Sequence, residues 1–170
     1  MTRFRHAFER LLETIVLVLM VLLALVVVSG VLFRKVGAPL VWYDEVASIL
    51  LAWLTYYGAC LAALRRAHIG YPALVESVSS GLRWPLIAIR EVVVIGFVTL
   101  AAWTGWQVVA VLDGFYLTSL PWMSRQITQS VIPVSGVLFI VAELLSVAEL
   151  VSVAEVKQGP APAAVGEEVS

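Results

Sequence analysis

Few side chains in this sequence have the chemistry for catalysis, ion binding or redox work. Glu143 is the carboxylate set furthest into an apolar stretch, seven residues after Gly136 and on the same helical face. A charge at such depth is costly in lipid and marks a functional candidate by default. The other readings are a carboxyl that carries its proton, or a helix that ends early and leaves the group near the membrane surface. Glu149 and Glu155 repeat the acidic spacing and favour the early end. Arg90 and Glu91 read as an interfacial pair where a third helix starts. Arg65, Arg66 and His68 form a basic group after a second apolar stretch. It suits either docking to a partner or to anionic headgroups, or simple anchoring at a helix end. His68 adds little charge near neutral pH, so a structural hydrogen bond suits it better than metal binding or proton transfer.

Several chemistries find no support in the spacing. His6 and His68 both lie outside the apolar stretches, so no imidazole is placed to ligate haem inside a span. Cys60 is the single cysteine, which excludes an intrachain disulfide and the paired-cysteine metal patterns. No nucleophile has a base near it in sequence, and no glycine-rich phosphate loop is present. No inverted repeat or pair of Gly/Pro-broken helices suggests a transporter's own substrate site. The expectation is therefore no enzyme activity and no cofactor. The net charge of -1 argues against nucleic acid, which calls for a basic face.

The elements that hold these residues follow from where charge is missing. Residues 14–33, 46–64, 92–112 and 126–142 contain no Asp, Glu, Lys or Arg. The first three runs match the ~20 apolar residues that cross a bilayer as a helix. The fourth opens with Gln126 and Gln129 and turns apolar at Val131. Hydrophobic residues make up 61% of the chain and charged residues 14%, far from soluble proportions. The expected fold is all-α, an integral membrane protein with four transmembrane helices over about 11–33, 42–64, 85–112 and 132–151. Together they form a membrane domain over 1–156. Residues 157–170, rich in Pro, Gly, Ala and Glu, are expected to be a disordered cytoplasmic tail. Between the second and third helices, Leu74, Val75 and Val78 oppose Glu76, Ser77 and Ser80. That pattern predicts a short amphipathic interfacial helix, opened by Pro72 and stopped by Gly81. The first run is longer than a signal-peptide core, and Glu9 and Glu13 precede it, so it reads as a retained span.

Orientation follows from the basic residues. With the amino terminus inside, the inner segments hold Arg3, Arg5, Arg10, Arg65, Arg66, Arg83, Arg90 and Lys157, and the outer segments only Arg34, Lys35 and Arg125. Both termini are therefore expected in the cytoplasm. Trp42, Tyr43, Trp106, Tyr116 and Trp122 fall at the outer ends, where an aromatic belt belongs.

The second helix is the least lipid-like. Ser48, Ala52, Thr55, Ala59, Ala62 and Ala63 recur every three or four residues, with Glu45 at one end and Arg66 at the other. Small residues on one face admit a second helix closely. That helix belongs either to a partner subunit or to the same chain.

Two strings carry a family resemblance. Trp42-Tyr43-Asp44-Glu45-Val46-Ala47, Leu51-Ala52-Trp53-Leu54, Gly58-Ala59 and Arg65-Arg66-Ala67-His68-Ile69 form the first, and Ile132-Pro133-Val134-Ser135-Gly136 the second. In order and placement they resemble the small permease subunit of TRAP transporters, the DctQ-like family. Asp44 departs from the family's first Glu, and Gly70-Tyr71-Pro72 stands where an Asp often follows His-Ile. The resemblance implies a scaffold that braces a large permease subunit in the bacterial inner membrane. It also implies a periplasmic substrate-binding protein acting through the assembled complex, and sodium-coupled uptake of an organic acid such as a C4-dicarboxylate. The competing class is a membrane anchor of a redox complex.

Overall fold

The computed structural model describes residues 2–65 and 80–158. They form five helices: α1 (Thr2–Lys35), α2 (Tyr43–Leu64), α3 (Ser80–Val111), α4 (Arg125–Gln129) and α5 (Val131–Gln158). Among the described residues, four stretches are long and apolar enough to cross a membrane: Arg3–Lys35, Tyr43–Leu64, Pro85–Val111 and Arg125–Ala148. Among the described residues no strand occurs, and one isolated bridge pairs Tyr116 with Ser124. The all-α, four-span architecture is the one expected.

The boundaries differ from the expected ones in four places. α1 begins at Thr2 rather than near Leu11, because Phe8 and Leu12 continue the face that packs on α2. Charge hides these first turns from a search for apolar runs, yet apolar residues four apart are a helical signal. α3 begins at Ser80, so Gly81 is its second residue and not the stop of a preceding helix. Pro85 is tolerated there because the carbonyl deprived of its partner lies at the helix end. A separate one-turn helix, α4, precedes α5 and is capped by Ser124, whose side chain accepts from the Gln126 N–H. α5 continues past Val151 to Gln158, taking in Lys157 from the expected tail. The expected interfacial helix, Arg66, His68 and the rest of the tail lie outside the described residues.

The spans are arranged in an open row: α1 packs on α2, α2 on α5, and α5 on α3. The shared core is Phe8, Leu12, Cys60, Ala63, Leu64 and Ala142, near the amino-terminal end of α1 and the carboxyl-terminal end of α2. At the other end Gly30 meets the Tyr43 ring, where a methyl group would collide. α3 and α5 approach closely through small residues. A Cβ at Gly136 would stand 2.7 Å from the Ala102 Cβ, and one at Gly105 would stand 2.5 Å from the Ile132 Cγ2. Such contacts drive helix association where no water is present to be expelled.

A row leaves broad faces uncovered. Phe97 of α3 is 71% exposed, and Trp103 and Trp106 each 64%. A contiguous apolar surface of this kind is a liability in water and ordinary in lipid. Val21 and Leu25 in the middle of α1 are likewise exposed, as expected of a lipid-facing span.

Candidate functional site

Among the described residues, the charged groups singled out by sequence fall into three clusters, each tying one helix to another part of the chain. The first sits where α2 begins. Asp44 and Glu45 occupy its first turn, where free N–H groups favour negative charge. Glu45 reaches across to the loop after α3. Its carboxylate accepts from the Ser119 N–H at 2.9 Å, the Thr118 N–H at 3.4 Å and the Ser119 hydroxyl. The loop is further held by Leu117 N–H to the Met123 carbonyl at 3.0 Å and Arg125 N–H to the Phe115 carbonyl at 2.9 Å. Gly114 turns it with a φ of 78°, a conformation that favours glycine. Glu45, Ser48, Thr128, Gln129 and Arg125 line a mixed polar recess of about 270 Å³ beside this contact. Glu45 thus anchors a loop of its own chain. No spacing in the sequence announces Ser119 as its partner, because the pairing spans 74 positions. We expect Glu45→Ala to speed hydrogen exchange at the Thr118 and Ser119 amides while mid-α2 amides keep their protection. Unchanged exchange at those two amides would show that the carboxylate does not hold the loop.

The second cluster joins α1 and α2 at the opposite end. The Arg65 Nε donates to Glu9 at 2.8 Å, and its Nη2 lies 3.3 Å from Glu13. The Glu9 hydrogen bond, then that of Glu13, holds the Arg65 guanidinium above its ordinary range. The Arg5 Nη2 donates to the Leu64 carbonyl at 3.3 Å, one of the orphan carbonyls at the end of α2. Arg65 is therefore spent inside the chain. Glu9 and Glu13 were missed as partners, although their four-residue spacing places them on one helical face.

The third cluster joins α3 and α5. Glu143 is 3% exposed and accepts from the Arg90 Nη2 at 3.2 Å. The same Nη2 lies 3.7 Å from Glu91. Arg90 and Glu91 are paired as expected, but not at the helix start. They stand a further two to three turns along α3, and Arg90 bridges to the carboxylate of the neighbouring helix. Gly136 and Glu143 do share a face, and that face looks onto α3.

The small-residue stripe of α2 divides along its length. Ser48, Ala52 and Thr55 are exposed, Ala59 and Ala62 half-buried, and Ala63 buried in the core. The Ser48 and Thr55 hydroxyls donate to the Asp44 and Leu51 carbonyls of their own helix, at 2.7 and 2.8 Å. The adjoining side of α2 is tied to α4 and α5. The Trp53 Nε1 donates to the Thr128 carbonyl at 2.9 Å, and the Cys60 thiol to the Ser135 carbonyl at 3.2 Å.

These three clusters are hydrogen-bonded joints, and among the described residues no group of three His, Cys, Asp or Glu is placed to hold a metal ion. The architecture is that of a membrane component with small-residue helix contacts and uncovered apolar faces. No curated protein matches the chain. The family model for the DctQ component of tripartite ATP-independent periplasmic transporters matches residues 23–153. That match takes in α2, α3 and α4 whole, together with most of α5 and the carboxyl-terminal part of α1. The chain belongs to the DctQ family, the small membrane component of these transporters.

Proposed function

We propose that this chain braces the large permease subunit of its transporter in the bacterial inner membrane, with both termini cytoplasmic. In that assembly a periplasmic substrate-binding protein delivers an organic acid, such as a C4-dicarboxylate, for sodium-coupled uptake. Family membership supports the substrate class and the coupling. The observation that carries the scaffold role is the exposed stripe Ser48, Ala52 and Thr55 on α2. Its hydroxyls are satisfied within the helix, so a partner helix can approach it without stripping water from a polar group. Its side chains are small, so the approach is close. The substrate and ion sites belong to the large subunit, and Glu45, Ser48, Ala52, Thr55, Ala59, Ala62, Arg65, Arg66, His68 and Glu143 serve contact or structure.

The test is recovery of the assembled complex. Ala52→Trp is expected to reduce co-purification with the large subunit strongly, whereas Val21→Trp, on an exposed face of α1, is expected to leave it intact. Equal recovery of both inserted variants would remove this face of α2 from the interface.

Orientation is tested separately. His6→Cys and Thr118→Cys both place a thiol at an exposed position. The native Cys60 is buried and stays silent. An impermeant thiol reagent is expected to label the Thr118 variant in intact cells and the His6 variant only after lysis. The reverse pattern would invert the topology.

A further inference from the structure

Between α1 and α2 runs an open groove of about 330 Å³ with an almost wholly apolar lining. α1 supplies Leu11, Ile15, Val18 and Leu19, and α2 supplies the faces of Trp53 and Tyr57. The indole nitrogen of Trp53 is occupied by the Thr128 carbonyl, and the Thr14 hydroxyl at the groove's edge by the Arg10 carbonyl. Apart from the Tyr57 hydroxyl, the groove therefore offers carbon rather than hydrogen bonds. From Leu11 to Leu19 it runs ~12 Å along the helix. That is most of the ~15 Å depth of one leaflet's hydrocarbon.

Charge at its mouth is sorted by side. Thr14 edges the groove, and Arg10 and Arg3 continue its row toward the terminus, four and eleven residues back. Both are exposed, and neither makes an ion pair among the described residues. Glu9 and Glu13, the nearby carboxylates of α1, turn away from the groove and are engaged by Arg65. The groove's mouth is left positive although the segment as a whole carries both signs.

We propose that this groove seats one acyl chain of an anionic phospholipid, with its phosphate held by Arg10 and Arg3. Charge complementarity at the mouth selects the headgroup, and the length of the apolar lining suits the chain. In the orientation proposed above, on which this rests for the choice of leaflet, the lipid belongs to the cytoplasmic leaflet. A lipid so placed would fill the side of the α1–α2 joint that the protein itself leaves open.

The assembled complex, carrying the photoreactive substitution Val18→p-benzoylphenylalanine, is reconstituted into phosphatidylethanolamine vesicles with a minority of phosphatidylglycerol. After illumination the adducts are weighed by mass spectrometry. Phosphatidylglycerol adducts are expected above their share of the bilayer, on the order of fivefold for each arginine engaged. The enrichment should vanish in Arg3→Ser/Arg10→Ser and persist in Arg3→Lys/Arg10→Lys. The same label at Leu25, also on the exposed part of α1, should report bulk composition. Adducts in proportion to composition at Val18 would overturn the proposal. So would adducts to the large subunit, or enrichment that survives the serine variants. Enrichment with His6→Cys labelled from outside would keep the lipid site and place it in the other leaflet.

Discussion

Arg90→Ala is expected to destabilise the folded chain by about 3 kcal/mol, the upper end of the cost of leaving a buried acceptor without its donor. Glu143 is 3% exposed and sits against α3, so the lost cation leaves its carboxylate buried without the Arg90 donor. The reverse deletion is expected to be mild. The Arg90 side chain is 51% exposed and can turn its guanidinium outward. Glu143→Gln also keeps an oxygen that accepts from Arg90, so a loss of about 1 kcal/mol is expected. Arg90→Leu with Glu143→Leu should be more stable than Arg90→Ala, since replacing a buried pair by apolar groups is often neutral. Thermal unfolding in detergent, followed by tryptophan fluorescence, measures all of these variants. Equal losses for Arg90→Ala and Glu143→Gln would show that burial of Glu143 does not govern the pair. In the assembled transporter, Glu143→Gln should leave substrate affinity and sodium dependence unchanged, with any lost uptake tracking lost complex. A changed sodium dependence at normal assembly would make this joint part of the coupling.

Gly136→Leu is expected to separate α3 from α5, at a cost of about 3 kcal/mol or more, the upper end of ordinary overpacking. Even a methyl there would stand 2.7 Å from the Ala102 Cβ and 3.4 Å from its Cα. The helix backbones, not a flexible side-chain tip, would have to give way. A smaller pair of changes tests the geometry more sharply. Gly136→Ala should destabilise by about 1–3 kcal/mol, and adding Ala102→Gly should restore part of that loss by removing the atom it strikes. The propensity gained by alanine at 136 offsets the ~1 kcal/mol that glycine costs at 102, so what stays unrestored is the 3.4 Å approach to the Ala102 Cα. Additive losses in the double variant would mean that Gly136 and Ala102 do not meet.

The number of spans and the all-α class were legible in the sequence because lipid leaves few options. A run of ~20 apolar residues must satisfy its own backbone, and a helix does so locally. The close α3–α5 contact at Gly136 was half legible. The Ile132–Gly136 string marks a small residue on one face, and its seven-residue spacing to Glu143 correctly places both on that face. What that face meets is a fact of tertiary structure. Arg90 lies 53 positions before Glu143, Ser119 74 positions after Glu45, and Arg65 56 after Glu9. Local periodicity carries no information over such separations, because it reports which residues share a face and not which helix arrives there. The first turns of α1 were lost for a different reason. Hydropathy measures transfer to lipid, and charged turns stand outside that measure even where Phe8 and Leu12 pack on α2. The order of the row, α1–α2–α5–α3, is likewise a tertiary decision. It depends on which small-residue faces meet best, and it leaves the outer part of the α2 stripe uncovered. Composition and spacing determined that this chain lies in a membrane as four helices. Packing alone determined that its conspicuous charges close joints between those helices.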